Sequence, residues 1–158
     1  MLTLAALREF VCVEREGFNV MAIYGIDTLP IAKQQRTVLV IDDESAIREA
    51  VTDILEIGNM NTILASNGRD GLLTFHKRYE EIQAILLDMN MPIMRGDEIL
   101  PALRDIDPTV KIIISSGYSD VDIGSRIRGG YADAFLPKPY NLTDLLTIIA
   151  EVFGELDS

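Results

Sequence analysis

Two short apolar runs that each end abruptly in acid constrain this chain most. Val38-Leu39-Val40-Ile41 runs into Asp42-Asp43, and Ala84-Ile85-Leu86-Leu87 runs into Asp88. Runs of this length, apolar throughout and rich in branched residues, read as parallel strands buried on both faces. Side by side they would gather three carboxylates at neighbouring C-terminal strand ends, where open α/β sheets bind ligands. Carboxylates crowd together only where a cation or a shared proton offsets their repulsion. A hard divalent ion with oxygen ligands is the natural companion.

The rest of the chain from Thr37 onward keeps the same rhythm. A strand over 37–42 leads into a helix over about 44–57, where Ile47, Val51, Ile54 and Leu55 share a face and Gly58 supplies the stop. Residues 60–65 form the second strand. Asn67 and Asp70 stand in capping-box spacing before a helix reaching about Tyr79. The third strand covers 83–88 and the next helix about 95–105, with Pro101 expected to bend it or shorten its first turns. The fourth strand is 110–115. A short helix over 120–128 is weakened by Gly124, and 131–136 is the fifth strand. Asn141, with Asp144 three residues on, caps a last helix whose stripe is Leu142, Leu145, Leu146, Ile149 and Val152. Five strands alternating with five helices imply a parallel sheet covered on both faces.

Residues 1–36 stand outside this rhythm. Leu4, Leu7 and Phe10/Val11 have helical spacing that Gly17 would end, 18–24 could equally be a strand, and 26–36 reads as a linker. The expected division is an extension over 1–36, one domain over 37–155 and a tail of 156–158, with no output module after Phe153. The apolar opening has no basic leader and Arg8-Glu9 interrupt it, so no signal peptide is expected. No apolar run has bilayer-spanning length. The lone Cys12 allows no intrachain disulfide, which fits a cytoplasmic location.

Charge narrows the partners. The net charge is −11; residues 1–36 hold four basic and four acidic side chains, so the whole excess falls on 37–158. Such a domain has no general footprint for nucleic acid and attracts cations and basic partner surfaces instead. His76 reads as a partly exposed helix residue, because no second histidine or cysteine cluster exists to make a zinc site. Met89, Met91 and Met94 read as loop packing, and Arg126 and Arg128 as a solvated helix end.

Four features in order now stand at strand ends: Asp42-Asp43, Asp88, Ser115 and Lys138-Pro139. In this order and spacing the chain resembles the receiver domain of two-component response regulators. The run 115–120 and the run 136–140 resemble receivers attached to hybrid histidine kinases. The fold this implies is the flavodoxin-like doubly wound five-stranded parallel sheet, strand order 2-1-3-4-5.

The resemblance assigns roles. Asp88 would be the phosphoacceptor, taking a phosphoryl group from a phosphohistidine on a histidine kinase or histidine phosphotransfer protein. Asp43 and Asp88 would bind Mg²⁺ directly with the backbone carbonyl of Asn90, and Asp42 through a water. Lys138 would pair with Asp88 at rest and with phosphoryl oxygens afterwards. Pro139 would follow a cis bond that aims the lysine inward. Ser115 would give its hydroxyl to a phosphoryl oxygen, and Phe135 would be the aromatic switch that turns inward in response. Ser115 stands for a more usual threonine and Phe135 for a frequent tyrosine. The fourth helix, fifth strand and fifth helix would form the responding face, which also allows a homodimer.

The rival is an aspartate-nucleophile, Mg²⁺-dependent phosphatase on a similar fold. It would place an acid two residues after the nucleophile, where this chain has Asn90. A flavodoxin-like cofactor binder would need a phosphate-cradling loop after the first strand, where Asp42-Asp43-Glu44 would repel a phosphate.

Overall fold

The computed structural model describes residues 35–117 and 129–155, apart from the Asp97 side chain. The expected segments in 1–34, the helix over 120–128 with Arg126 and Arg128, and the tail 156–158 lie outside the described residues. Five strands alternate with four described α-helices: β1 (Arg36–Ile41), α1 (Ser45–Ile57), β2 (Met60–Ala65), α2 (Gly68–Arg78), β3 (Ala84–Asp88), α3 (Gly96–Ile106), β4 (Lys111–Ser116), β5 (Ala134–Pro137) and α4 (Leu142–Val152). A 3-10 turn, Tyr79–Glu81, follows α2. All four pairings are parallel, in the order β2-β1-β3-β4-β5.

Alternation along the strands sends side chains to two cores. Val38, Val40, Ala84, Leu86, Ile113 and Leu136 meet Val51, Leu55, Leu145 and Ile149 of α1 and α4. Leu39, Ile41, Ile85, Leu87, Ile112 and Ile114 meet Phe75 of α2 and Ile99, Leu100 and Leu103 of α3. β1 and β3, adjacent in space but with β2 between them in sequence, flank the point where the strand order reverses. Crevices open there, at the C-terminal strand ends.

Several boundaries differ from the sequence reading, each for a local reason. Arg36 is not linker but the first residue of β1; its guanidinium lies 3.9 Å over the Phe153 ring and pairs with Glu155. Gly58 ends α1 at φ −75°, and the left-handed residue is Asn59 at φ 62°. Space is tight at Gly58: a Cβ there would sit 2.5 Å from Leu146 Cδ2 and 2.7 Å from Met60 Cε, so those side-chain tips would have to shift. The Asn67 side chain accepts from the Asp70 N–H, but the reciprocal contact is between the two side chains, so the capping box is half made. At Asn141 and Asp144 it is complete. α3 runs through Pro101 to Ile106, held by buried Ile99, Leu100 and Leu103 where the proline forfeits one backbone bond.

β5 starts at Ala134, not Tyr131. Tyr131 is exposed, and the Asp133 carboxylate occupies the approach to the strand, accepting from Ile112 N–H at 2.8 Å and Arg104 at 2.9 Å. The same guanidinium donates to the carbonyls of Tyr131, Pro108 and Val110, closing both loops at the base of β4 and β5.

Candidate functional site

β1, β3 and β5 carry their polar residues to one rim. Asp42 and Asp43 follow β1, Asp88 ends β3, and Lys138 follows β5. Carboxylate oxygens of Asp42, Asp43 and Asp88 come within 4.8 Å of one another. Asp42 and Asp88 are each 3% exposed, whereas Asp43 stands exposed and makes no hydrogen bond or ion pair among the described residues. The Lys138 ammonium lies between the buried pair, 3.1 Å from Asp42 Oδ2 and 3.4 Å from Asp88 Oδ2. The resting lysine is therefore shared, with its hydrogen bond going to Asp42 rather than to Asp88 alone.

The backbone holds these groups in place. Glu44 N–H donates to Asp42 Oδ1 and Asn90 N–H to Asp88 Oδ1, each two residues ahead of its carboxylate. Arg48, on the first turn of α1, donates to the Asp42 carbonyl at 2.7 Å. Lys138 N–H donates to the Ser116 carbonyl at 2.7 Å, and the Lys138–Pro139 bond is cis. A Cβ on Gly96 would meet Met89 Sδ at 2.6 Å and Asp88 O at 3.0 Å, so α3 closes directly against the loop after β3. Met89 and Met91 are buried in that contact.

The electrostatics follow from one cation serving two buried acids. Burial is the largest influence on Asp88 and raises its pKa, helped by the Asp42 charge. The Asn90 N–H and Lys138 pull the other way without cancelling it. For Lys138, burial is again the largest single influence and favours deprotonation. The Asp42 hydrogen bond and the charges of Asp88 and Asp42 outweigh it, and the net pKa is raised. Asp88 is thus the reluctant anion of the set and Lys138 a committed cation.

The two serines that end β4 face opposite layers. Ser115 is the register partner of Asp88 and, by strand alternation, follows Ile113 toward the α1/α4 layer. Phe135 packs in the other layer, with Ile112 and Ile114. The structure therefore does not bring Ser115 and Phe135 onto one face. Ser116 shares the Phe135 face; its Oγ accepts from Asn90 Nδ2 at 3.3 Å and donates to Gly117 O at 3.2 Å. The sequence reading passed over Ser116 because two adjacent serines give no hydropathy cue to their faces. It passed over Tyr140 as well. The Tyr140 hydroxyl is fully buried without a partner, as is Ser115 Oγ. Burial, before any charge, raises the Tyr140 pKa, with Lys138, Asp42, Ser115 and Asp88 as its polar neighbours. His76 is exposed on α2, away from this set.

Among the described residues the donor set is all oxygen, three carboxylates with a single lysine against them. That suits a hard divalent cation and not a zinc or copper site. Among the described residues, no helix is long and apolar enough to cross a membrane.

Comparison with known proteins agrees with this arrangement. The response regulator receiver domain family matches residues 38–150. Sensor kinase CckA of Brucella abortus (strain 2308) is 30% identical over 121 residues, which are 77% of this chain and 13% of that protein. The cell cycle transcriptional regulator CtrA of Caulobacter vibrioides (strain NA1000 / CB15N) is 31% identical over 115 residues, 73% of this chain and 49% of that protein. The chain thus spans less than half the length of either relative. Among solved structures, a response regulator receiver domain protein from Clostridium thermocellum aligns with TM-score 0.70 at 32% identity, covering 75% of this chain and 94% of that one. The chemotaxis protein CheY4 of Vibrio cholerae aligns with TM-score 0.69 at 26% identity, covering 75% and 99%. With sheet order, acid rim and family match in accord, the chain belongs to the response regulator receiver domains of two-component signalling.

Proposed function

We propose that this receiver takes a phosphoryl group from a phosphohistidine of a histidine kinase or phosphotransfer protein onto Asp88. The observation that carries this reading is the Lys138 ammonium held between the Asp42 and Asp88 carboxylates, with Asp43 beside them. An Asp88 oxygen forms the new P–O bond as the P–N bond breaks, and the imidazole nitrogen keeps the electron pair. Asp43, Asp88 and the Asn90 backbone carbonyl would hold Mg²⁺, with Asp42 contributing through a water. The ion, when bound, neutralises charge on the group in transfer. Lys138 supplies the protein's own cation to the phosphoryl oxygens and keeps Asp42 paired meanwhile. The phosphatase alternative lacks its second acid, since Asn90 stands in that place and its amide is engaged with Ser116.

The conformational part falls to the second of the two serines. Ser116 sits on the Phe135 face, bonded to the Asn90 amide, and is the donor to the phosphoryl group as well as the partner of the ring. This moves the switch pair from Ser115–Phe135 to Ser116–Phe135. The responding surface includes the groove lined by Phe135, Pro137, Thr147 and Ile148 between β5 and α4, which would also serve a homodimer. The receiver unit is read as 37–155, with Arg36 added at its start.

Intact mass before and after treatment with acetyl phosphate and Mg²⁺ tests the proposal. One phosphoryl group is expected on the protein and none on Asp88→Asn. Full labelling of Asp88→Asn, or equal labelling in excess chelator, overturns the assignment.

A further inference from the structure

Asp42 is bonded through every polar group it has. Its N–H donates to Ala65 O at 3.2 Å and its carbonyl accepts from Arg48 at 2.7 Å. Its carboxylate accepts from Glu44 N–H at 2.9 Å and from Lys138 at 3.1 Å. Asp43, the next residue, is exposed and makes no such bond among the described residues, yet its carboxylate lies within 4.8 Å of those of Asp42 and Asp88. A side chain with no partner of its own goes where its backbone sends it. The placement of Asp43 therefore depends on the peptide that joins it to Asp42, and Arg48 holds the carbonyl of that peptide.

Arg48 is well set for this. It is half-buried on the first turn of α1, its N–H donating to Glu44 O at 3.1 Å and its carbonyl accepting from Thr52 Oγ1 at 2.8 Å. Glu44 gives α1 no side-chain cap, so the helix start is fastened to the rim through Asp42 instead. A guanidinium beside a metal site has two effects of opposite sign. Its charge repels a divalent cation, weakly where solvent screens it. Its hydrogen bond orients the ligand, and groups that orient ligands typically carry about tenfold or more in metal affinity. We propose that Arg48 is a positioning residue for Asp43: by pinning the Asp42 carbonyl it presents the Asp43 carboxylate to Mg²⁺, and this outweighs its repulsion. The inference rests on the reading of Asp43 as a direct Mg²⁺ ligand.

Titration of the ¹⁵N-labelled full chain with Mg²⁺, followed at its amide signals, is the test. Arg48→Met, which keeps an apolar stem without charge or donor, should bind Mg²⁺ about tenfold more weakly. Arg48→Lys should recover most of the loss; it restores the repulsion too, so recovery can come only from the donor. In metal-free protein the Asp43 amide nitrogen should shift in Arg48→Met, because a donor on a carbonyl polarises the whole peptide. Thr52→Val, which loosens the same helix turn and leaves the guanidinium in place, should keep the parent affinity. Equal or tighter Mg²⁺ binding by Arg48→Met, no recovery in Arg48→Lys, an unmoved Asp43 nitrogen, or a matching loss in Thr52→Val would each overturn the inference. Absence of Mg²⁺ binding by the unsubstituted protein would instead bring down the metal reading, and this inference with it.

Discussion

Asp88 is held in a state that disfavours its own charge. Burial is the main reason its pKa is raised, and Lys138 is shared with Asp42 and does not fully offset it. The folded protein therefore keeps the Asp88 proton to higher pH than the unfolded chain. The stability linked to that proton is fully present below the ordinary carboxylate range and is lost as pH rises through the folded pKa. At neutral pH the ionised Asp88 is a net liability to the metal-free fold. Asp88→Asn, which can still accept from the Asn90 N–H, should stabilise metal-free protein by on the order of 1 kcal/mol, a few degrees in Tm. The gain should shrink as pH falls through the raised folded pKa and be gone below the ordinary carboxylate range. Thermal unfolding in chelator across that range measures it, and a gain independent of pH would show that burial of the charge is not the cause. Lys138 carries the same sign at the alkaline end, its contribution being lost as pH rises through its raised pKa.

At the scale of elements, β5 is the exposed position in the design. It is an edge strand of four residues with one neighbour, yet it delivers Phe135 and leads into Lys138. Its base is fastened by Arg104 from α3, which bonds the Tyr131, Pro108 and Val110 carbonyls and the Asp133 carboxylate. Arg104→Ala would leave those groups short of donors in a half-buried place, at a cost of about 2–3 kcal/mol. Amide exchange should quicken at Phe135 and Leu136 before it does in β1; uniform loss of protection would mean that Arg104 supports the fold generally and not β5. This brace also explains why the start of β5 was hidden in the sequence. Tyr131 suits a strand by composition, but Asp133 uses its side chain to take the Ile112 amide just before the ladder begins. The sheet order and the acids at strand ends were legible because apolar runs and the residues that stop them are local facts. The hydroxyls were not, since a slip of one residue reverses the face and only the β4–β5 register separates Ser115 from Ser116. Gly58 and Asn59 show the same limit: both residues favour turns, and it is Asn59 that takes positive φ.

Over the whole molecule, the fold closes on itself at one end and gathers charge at the other. Arg36 on Phe153 and Glu155 ties the first strand to the end of the last helix. At the opposite rim three carboxylates face a single lysine, within a chain of net charge −11. Two effects of cations should follow, and they are separable. Any salt screens the diffuse surface repulsion, with a reach of about 10 Å at 0.1 M. Only an ion bound at the rim stabilises the folded state by mass action, about 1.4 kcal/mol at ten times its Kd. Mg²⁺ should therefore raise Tm beyond NaCl at matched ionic strength. Asp43 is the carboxylate of the three with no other partner, so Asp43→Ala should remove that excess. It should also raise the metal-free Tm slightly by relieving repulsion. Asp42→Ala should instead lower the metal-free Tm, because it strips a buried hydrogen bond from Lys138 and the cap from the Glu44 amide. Opposite signs for these neighbouring aspartates, read by thermal unfolding in chelator, are the expected outcome. Equal responses to Mg²⁺ and Na⁺ in the unsubstituted protein would show that the rim holds no specific ion.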